Sequence, residues 1–257
     1  MEIKNFKVEK LSVSVHSDRP SMGQAAAKAA AERINAVIAQ KGEANVVFAA
    51  APSQNETLEY LLKENIDWTK VRGFHQDEYI GLDPNHSAGF GNFMRRTIFD
   101  LVPFKELHYL LCKPEEAEEK CASYSELLKK YPADLIFLGF GENGHMAFND
   151  PAVADFNDPK MVKIVDLDDI CRQQQVNDGC FGHINEVPKQ AMTLTLSLIM
   201  SIPHAICTVP TVRKADAVYG ALCGEVTTQC PASILRFHND AALFVDEPAA
   251  SKLPADL

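Results

Sequence analysis

The sequence contains no Cys-x-x-Cys pair, no apolar run of membrane-spanning length and no excess of basic residues. Its seven cysteines are odd in number and scattered, which argues against a disulfide framework and predicts free thiols in a reducing compartment. Residues 1–15 lack the apolar core of a signal peptide, and a membrane-spanning helix needs about 20 apolar residues. We therefore expect a cytoplasmic protein that does not enter a membrane.

Basic residues are fewer than acidic ones. The chain has 25 Lys and Arg and 35 Asp and Glu, which gives a formal net charge of −10. Binding to nucleic acid or to an anionic membrane requires a basic face, so we expect neither as a partner. A small anionic ligand remains compatible with this composition if a few local basic side chains or backbone amides hold it.

The 257 residues alternate between apolar, strand-like segments and amphipathic, helix-like segments. Strands are predicted at 8–17, 45–50, 69–75 and 133–141, helices at 20–40, 53–65, 90–102 and 115–131, and the alternation continues through 161–167, 191–201, 204–210, 212–224 and 241–246. This order is typical of an α/β fold in which helices cover both faces of a parallel sheet. We assign residues 1–257 to one domain.

Two predicted helix starts carry local signals. Ser21 with Gln24, and Ser53 with Glu56, have the spacing of capping boxes, and Gly42 marks the end of the first helix. In a parallel sheet the ligand lies beyond the carboxyl ends of the strands. The loops that follow strands are therefore the candidate binding loops, namely 50–54, 76–81, 139–151 and 210–214.

The segment 139–151, GFGENGHMAFNDP, contains the G-x-G-x-x-G pattern of nucleotide-binding proteins. That fingerprint needs a helix that starts within the turn, whereas Pro151 comes too soon for a long helix. We interpret the glycines instead as bends that project Asn143, His145 and Asp150 from a strand end.

The strand at 69–75 runs into two adjacent carboxylates, Asp77 and Glu78. Adjacent strand residues face opposite sides, so at most one of them enters a cleft. Asp77 beside His145 would form a set suited to moving protons on a small molecule. The alternatives are a solvated turn for the carboxylates and a histidine that only fixes the glycine loop.

Four segments carry a resemblance to a known family: FHQDEYIGLDPNHSAGFGNFM, LGFGENGHMAFNDP, VPKQAMTLTLSLI and VPTVRKADAV. In this order they resemble the glucosamine-6-phosphate deaminase (isomerising) family, which is related to 6-phosphogluconolactonase. The resemblance implies a modified Rossmann-like three-layer sandwich with a mostly parallel central sheet. It also implies conversion of an amino-sugar 6-phosphate to fructose 6-phosphate and ammonia, without a metal or an organic cofactor.

The resemblance also implies roles for individual residues. Asp77 takes the place of the base that moves a proton between C2 and C1, and His145 that of the group which opens the sugar ring. Asp150 is one methylene shorter than the family's supporting glutamate and keeps a carboxylate for the imidazole. Lys214 matches a lysine that contacts the phosphate.

The chain departs from the family pattern at its catalytic loop, where Asn143 stands in place of the usual aspartate. An amide oxygen can still fix a histidine tautomer, but it cannot offset the charge of an imidazolium. Ring opening would then depend on Asp150 or Glu142, unless the preferred substrate differs.

The phosphate-binding residues depart further from the family. The glycine- and threonine-rich loop is replaced by AAAPSQNE, in which Ser53 and Gln54 are the candidates. No arginine occurs at 177–181, so Arg172 is considered in its place, with a surface ion pair as the alternative. The motif residues Glu78 and Gly144 complete the candidate substrate-binding set.

The sequence leaves several functions open beside glucosamine-6-phosphate deamination. These are galactosamine-6-phosphate deamination, a 6-phosphogluconolactonase-like hydrolysis and non-catalytic sensing of a sugar phosphate. In each case the partner is a small sugar phosphate, and assembly into a homo-oligomer is left open.

Overall fold

The computed structural model describes residues 1–255 and residue 257. The strands are, in chain order, β1 (Glu2–Val8), β2 (Leu11–His16), β3 (Ala44–Phe48), β4 (Val71–His75), β5 (Asp77–Tyr79), β6 (Glu106–His108), β7 (Leu135–Leu138), β8 (Val162–Asp166), β9 (Gln190–Leu194), β10 (His204–Val209) and β11 (Ala241–Asp246). The α-helices are α1 (Arg19–Lys41), α2 (Asn55–Leu61), α3 (Phe90–Met94), α4 (Ala117–Lys130), α5 (Asp169–Asn177), α6 (Leu196–Ser201) and α7 (Ala215–Cys223).

In the described part of the chain, eight strands form a central sheet in the order β1-β2-β11-β10-β7-β3-β4-β6. All neighbours pair in parallel except β1, which is antiparallel to β2. The side chains of β3 alternate between two apolar layers: Val46 and Phe48 pack with α1, and Val47 packs on the opposite face with α4. The predicted α/β class, a three-layer sandwich with a mostly parallel central sheet, is confirmed.

The alternating pattern missed a second, smaller sheet. Within residues 1–255, strands β5, β9 and β8 form an antiparallel sheet in that order. The predicted strand at 161–167 therefore lies outside the central sheet, and the first strand of the chain, β1, was not predicted at all. Residues Asp77 to Tyr79 are a strand that pairs with β9, so they are not a solvated turn.

The first capping prediction is wrong in its residues. The carboxylate of Asp18, and not the hydroxyl of Ser21, caps α1 by accepting from the Ser21 backbone N–H at 2.8 Å. The helix end is as predicted, because Gly42 adopts a φ of 85° and donates its N–H to the Ile38 carbonyl.

The second predicted helix is shorter than 53–65. A 3₁₀ turn, Pro52–Gln54, comes first, and α2 then ends at Leu61. Glu56 does not form the predicted capping box with Ser53, because Arg19 of α1 binds its carboxylate through two hydrogen bonds of 2.9 and 2.8 Å.

The predicted helix at 90–102 is split. After α3 the chain forms a π-helical turn, Arg95–Phe99, where the Thr97 hydroxyl donates to the Phe93 carbonyl at 2.7 Å and competes with the regular helical bond. Of the helices in residues 1–255, none is long and apolar enough to cross a membrane.

Candidate active site

A cleft lies at the carboxyl ends of the central strands. Its walls come from the loops that follow β3, β4, β7 and β10, and α5 closes one side. The strand order reverses here, since the chain leaves β3 toward β4 but leaves β7 toward β10. Such a switch point is where parallel sheets bind ligands.

Asp77 lies in this cleft, on β5, and is 5% exposed. Burial raises the pKa of its carboxyl well above the ordinary value, and the neighbouring Glu78 charge raises it further. A carboxyl with a raised pKa is a stronger base once it is ionised, which suits abstraction of a proton from carbon near neutral pH.

Glu78 points to the other side of β5, as strand alternation requires. Its carboxylate accepts the backbone N–H groups of Tyr79, Phe90 and Gly91 at 2.8–3.1 Å. The carboxylate therefore holds the start of α3, and Glu78 does not line the cleft with Asp77. The structure does not bring this candidate substrate-binding residue to the cleft that holds Asp77.

The glycine loop after β7 presents His145, which is also in the cleft and 7% exposed. The loop is tight: the Gly141 N–H donates to the His145 carbonyl at 2.9 Å, and the Gly144 N–H donates to the Gly141 carbonyl at 3.0 Å. Gly144 needs its φ of 79° for this bend. Gly144 does not line the cleft, so its contribution is to the turn and not to direct substrate contact.

The His145 ring lies against Gly141 so closely that Gly141→Ala should move it. A Cβ at position 141 would lie 2.1 Å from His145 Cε1. We expect the variant to lose about 1–3 kcal/mol of stability and at least about tenfold in turnover, measured by thermal melting and by a kinetic assay.

Gly42→Ala is the matched control for this substitution. Gly42 has a positive φ of 85°, but a Cβ at this position would meet nothing within 4 Å. The backbone strain should cost about 1 kcal/mol of stability with no loss of turnover. Equal turnover losses in the two variants would contradict a specific role for the contact with His145.

Two side chains hold the His145 ring from behind. The distance from His145 Nδ1 to Asn143 Oδ1 is 2.7 Å and that to Asp150 Oδ1 is 2.9 Å. Both partners are hydrogen-bond acceptors at these atoms, so the pattern assigns the proton to Nδ1. Nε2 makes no hydrogen bond within the described part of the chain and is the ring nitrogen left for a ligand.

Asp150 is fully buried. Burial alone raises the pKa of its carboxyl, but the hydrogen bond and charge of His145, together with the Asn143 amide, lower it below the ordinary value. An ionised Asp150 can therefore stabilise a positive charge on the imidazole when the ring takes up a proton. Asp150 and Glu142 are the two carboxylates considered as support for the imidazole. Asp150 contacts the His145 ring, whereas the Glu142 carboxylate lies 3.5 Å from the Asn177 amide.

Among the described residues, His145, Asp150 and Cys171 bring three atoms that a metal could bind within 4.8 Å of one another. Burial, followed by the charges of Asp150 and Asp168, raises the pKa of the Cys171 thiol well above its ordinary value, whereas a metal ligand must be a thiolate. The imidazole and Asp150 already bond each other. We interpret the trio as a hydrogen-bonded network; the metal-free reaction stays a prediction.

Lys214 lies in the cleft on the 3₁₀ turn that follows β10 and is 6% exposed. Its Nζ is buried and has no hydrogen-bond partner among residues 1–255 and 257. Burial lowers the pKa of this amine. A buried ammonium without a partner is costly, so the position favours a ligand that brings a negative charge.

The turn that carries Lys214 is strained at Thr211, another cleft residue. Thr211 has a φ of 82°, which a β-branched residue rarely adopts. The carboxylate of Asp246 on β11 compensates, since its two oxygens accept the Thr211 N–H at 2.9 and 3.0 Å. Strain of this kind that the surroundings maintain is typical of functional sites.

Of the two candidates in the loop after β3, only one faces the cleft. Ser53 lines it. Gln54 is completely buried, and its amide donates to the Leu138 carbonyl at 3.0 Å, so it fastens the loop to the end of β7. Arg19 also lines the cleft, and its guanidinium adds positive charge near Ser53 although Glu56 binds two of its nitrogens.

Arg172 does not line the cleft. Its guanidinium donates to the carbonyls of Ile184 and Val187 and pairs with the exposed Asp169. The arginine therefore holds the segment after α5, and its pairing with Asp169 resembles the surface ion pair that is the alternative interpretation. The structure does not bring Arg172 to the candidate phosphate-binding residues.

Several cleft residues were missed by sequence reasoning. Gln76 directly follows β4 and Thr211 lies two residues after β10, so the rule that selected the loops could have found them. Gln175 and Asp178 come from the end of α5 and just beyond it. No local pattern signals them, because it is the packing of α5 over the strand ends that brings them to the cleft.

Comparison with known proteins agrees with this geometry. Residues 17–244 match the family model of glucosamine-6-phosphate isomerases/6-phosphogluconolactonase. The chain is 33% identical over 216 residues to glucosamine-6-phosphate deaminase of Streptococcus pyogenes serotype M1, covering 83% of this chain and 89% of the relative. Against the enzyme of that name from Streptococcus thermophilus it is 32% identical over 212 residues, covering 82% and 89%.

Solved structures of proteins with these two family names superpose on most of this chain. A monomeric glucosamine-6-phosphate deaminase superposes with a TM-score of 0.83 at 26% identity, covering 93% of this chain and 98% of that one. The 6-phosphogluconolactonase of Trypanosoma brucei superposes with a TM-score of 0.77 at 17% identity, covering 98% and 100%, which is a likeness of fold.

Proposed function

This chain belongs to the family of glucosamine-6-phosphate isomerases and 6-phosphogluconolactonases, and from that premise we propose that it is an isomerising deaminase. It converts glucosamine 6-phosphate and water to fructose 6-phosphate and ammonia. The observation that carries the proposal is the content of one cleft: a carboxyl with a raised pKa, an imidazole with a free Nε2 and an unpaired ammonium. The curated relatives that match most of the chain are named for the same reaction.

The reaction needs proton transfers at carbon and at oxygen. Asp77 removes the proton from C2 of the open-chain sugar and returns it to C1. Over the same two steps O1 gains a proton and the amine at C2 loses one, so that the C1 aldehyde becomes an alcohol and the amine becomes an imine. Water then adds to C2 and ammonia leaves, giving the ketone. Each proton transfer by a well-placed side chain is worth about 10² to 10⁴ in rate.

His145 acts at the oxygens. Its Nε2 takes the proton from O1 as the ring opens and passes a proton to the ring oxygen, which becomes a hydroxyl. The imidazolium formed on the way is stabilised by the Asp150 carboxylate at 2.9 Å from Nδ1. Asn143 contributes its amide oxygen to the same nitrogen.

Lys214 receives the phosphate. Its unpaired Nζ gains a charge-assisted hydrogen bond when a dianion enters. Ser53, Thr211 and Arg19 line the same cleft, where the first two have hydroxyl donors and the third a guanidinium. The substrate class is therefore an amino sugar that carries a phosphate.

The direct test is a substrate panel with the purified protein. We expect ammonia and fructose 6-phosphate to appear in equal amounts from glucosamine 6-phosphate, and no turnover of unphosphorylated glucosamine. Galactosamine 6-phosphate and 6-phosphogluconolactone are the competing substrates, and faster turnover of either would replace the assignment. Thermal stabilisation by glucosamine 6-phosphate without any product would identify a sensor and overturn the enzyme proposal.

A further inference from the structure

The side-chain amide of Asn143 uses its full hydrogen-bonding capacity. Its nitrogen donates to Asp150 Oδ1 at 3.1 Å and to Asp168 Oδ2 at 3.2 Å. Its oxygen accepts from the His145 backbone N–H at 3.1 Å and faces His145 Nδ1 at 2.7 Å. An asparagine amide offers two donors and two acceptor lone pairs, so each is matched here.

The two carboxylates decide which way this amide points. If the amide were turned over, its oxygen would face Asp150 and Asp168, and its N–H groups would face the His145 N–H. The contacts with Asp150, Asp168 and the His145 backbone N–H would then become repulsive, and the contact with Nδ1 would be favourable only if the ring proton moved to Nε2. Only one orientation is therefore stable, and it presents an acceptor to Nδ1 and leaves Nε2 unprotonated toward the cleft.

Asp168 does not line the cleft. Its Oδ1 accepts the Cys171 N–H at 2.6 Å and caps α5, while its Oδ2 holds the Asn143 amide. Helix capping needs only one oxygen. The second oxygen is aimed at a group that itself contacts the proposed proton-transfer residue.

We propose that Asp168 is a positioning residue for His145, because together with Asp150 it orients the Asn143 amide, whose oxygen is one of the two acceptors that keep the imidazole proton on Nδ1. The inference rests on the proposed function, since it names a further residue behind the same imidazole. It also accounts for asparagine at position 143: a carboxylate there would face both Asp150 and Asp168 at about 3 Å. In this chain Asp168 requires an amide between the two acids.

Asp168→Ser tests the role while keeping the cap, because serine is a preferred N-cap residue but is too short to reach Asn143 as well. We expect kcat to fall about 10- to 100-fold, the loss that follows removal of a hydrogen bond to a charged group, with KM and the melting temperature little changed. Asp169→Ser is the matched control, because that neighbouring side chain is 85% exposed. It should leave kcat unchanged.

A charge-swapped pair tests the contact itself. Asn143→Asp alone should lower kcat at least about tenfold, because three carboxylates then meet. Adding Asp168→Asn to it should recover most of that loss, since an amide at 168 can donate to the new carboxylate and still cap α5. If the double variant is no better than Asn143→Asp, the two side chains are not coupled and the proposal fails.

The imidazole can be observed without any substrate. Long-range ¹H–¹⁵N spectra report which ring nitrogen carries the proton, and the His145 signals are identified among the eight histidines by their loss in His145→Gln. We expect Nδ1–H in the wild type at neutral pH and a larger share of the Nε2–H tautomer in Asp168→Ser, in which only Asp150 still holds the Asn143 amide. A wild-type Nε2–H form, or identical spectra for the two proteins, would overturn the proposal even if deamination is confirmed. The expected spectra with no deamination would remove only the proposed function.

Discussion

Replacing Asp77 by asparagine is expected to lower kcat for glucosamine 6-phosphate by about 10²- to 10⁴-fold, with KM within a few-fold of the wild-type value. Asparagine has nearly the same shape and hydrogen-bonding reach, but it cannot accept the C2 proton. The measurement is steady-state release of ammonia and fructose 6-phosphate. An unchanged rate would end the assignment of Asp77 as the base.

The same variant should be more stable than the wild type at neutral pH, which separates lost chemistry from lost folding. The pKa of Asp77 is raised in the folded protein by burial, and about 3.9 is usual for an unfolded chain. A raised pKa means that the ionised form is disfavoured by folding, so the wild type loses stability as pH rises through the folded-state pKa. The stability gain of Asp77→Asn should therefore grow with pH and vanish below about pH 4.

Glu78→Gln is the matched control for the chemistry, because Glu78 is the adjacent buried carboxyl on β5 but contacts backbone amides of α3. It should weaken the start of α3 and lower thermal stability while reducing kcat far less than Asp77→Asn. A loss of kcat as large as that of Asp77→Asn would mean that the pair acts together.

The positions of most central strands and the loops around the cleft could be predicted from the sequence because both depend on short-range patterns. A buried parallel strand reads as an apolar run, and the site must follow such runs. The two-residue period of a strand likewise predicted that only one of Asp77 and Glu78 could enter the cleft. None of these inferences needs knowledge of a distant partner.

Two of the wrong local predictions, at Glu56 and Arg172, share one physical cause, which is a partner outside the local segment. Glu56 has the spacing of a capping residue, yet Arg19, 37 positions away, binds it more strongly than a backbone amide would. Arg172 has the charge for a phosphate, but two backbone carbonyls of the following segment hold it. Packing decides between such alternatives, and sequence spacing does not reveal it.

Replacing Lys214 by methionine should have the second large effect, a fall of about 100-fold in kcat/KM for glucosamine 6-phosphate. Charge-assisted hydrogen bonds to phosphate are about twice as strong as neutral ones, and methionine keeps the length of the side chain without its charge. Most of the loss should appear in KM if the lysine contributes only to phosphate binding. Lys63→Met is the matched control, because that lysine is 58% exposed and should change neither parameter.

Lys214→Met should also stabilise the empty protein, by about 1–2 kcal/mol, because an apolar side chain replaces a buried ammonium that has no partner among the described residues. The folded-state pKa of Lys214 is lowered by burial, so this gain should be complete below the folded-state pKa, decline as pH rises from there toward the unfolded pKa of about 10.4, and be absent above it. Inorganic phosphate should raise the melting temperature of the wild type but not of the variant. Weaker substrate binding together with higher stability would indicate that Lys214 serves ligand binding and destabilises the empty protein. Lower stability of the variant would show that Lys214 has a structural role.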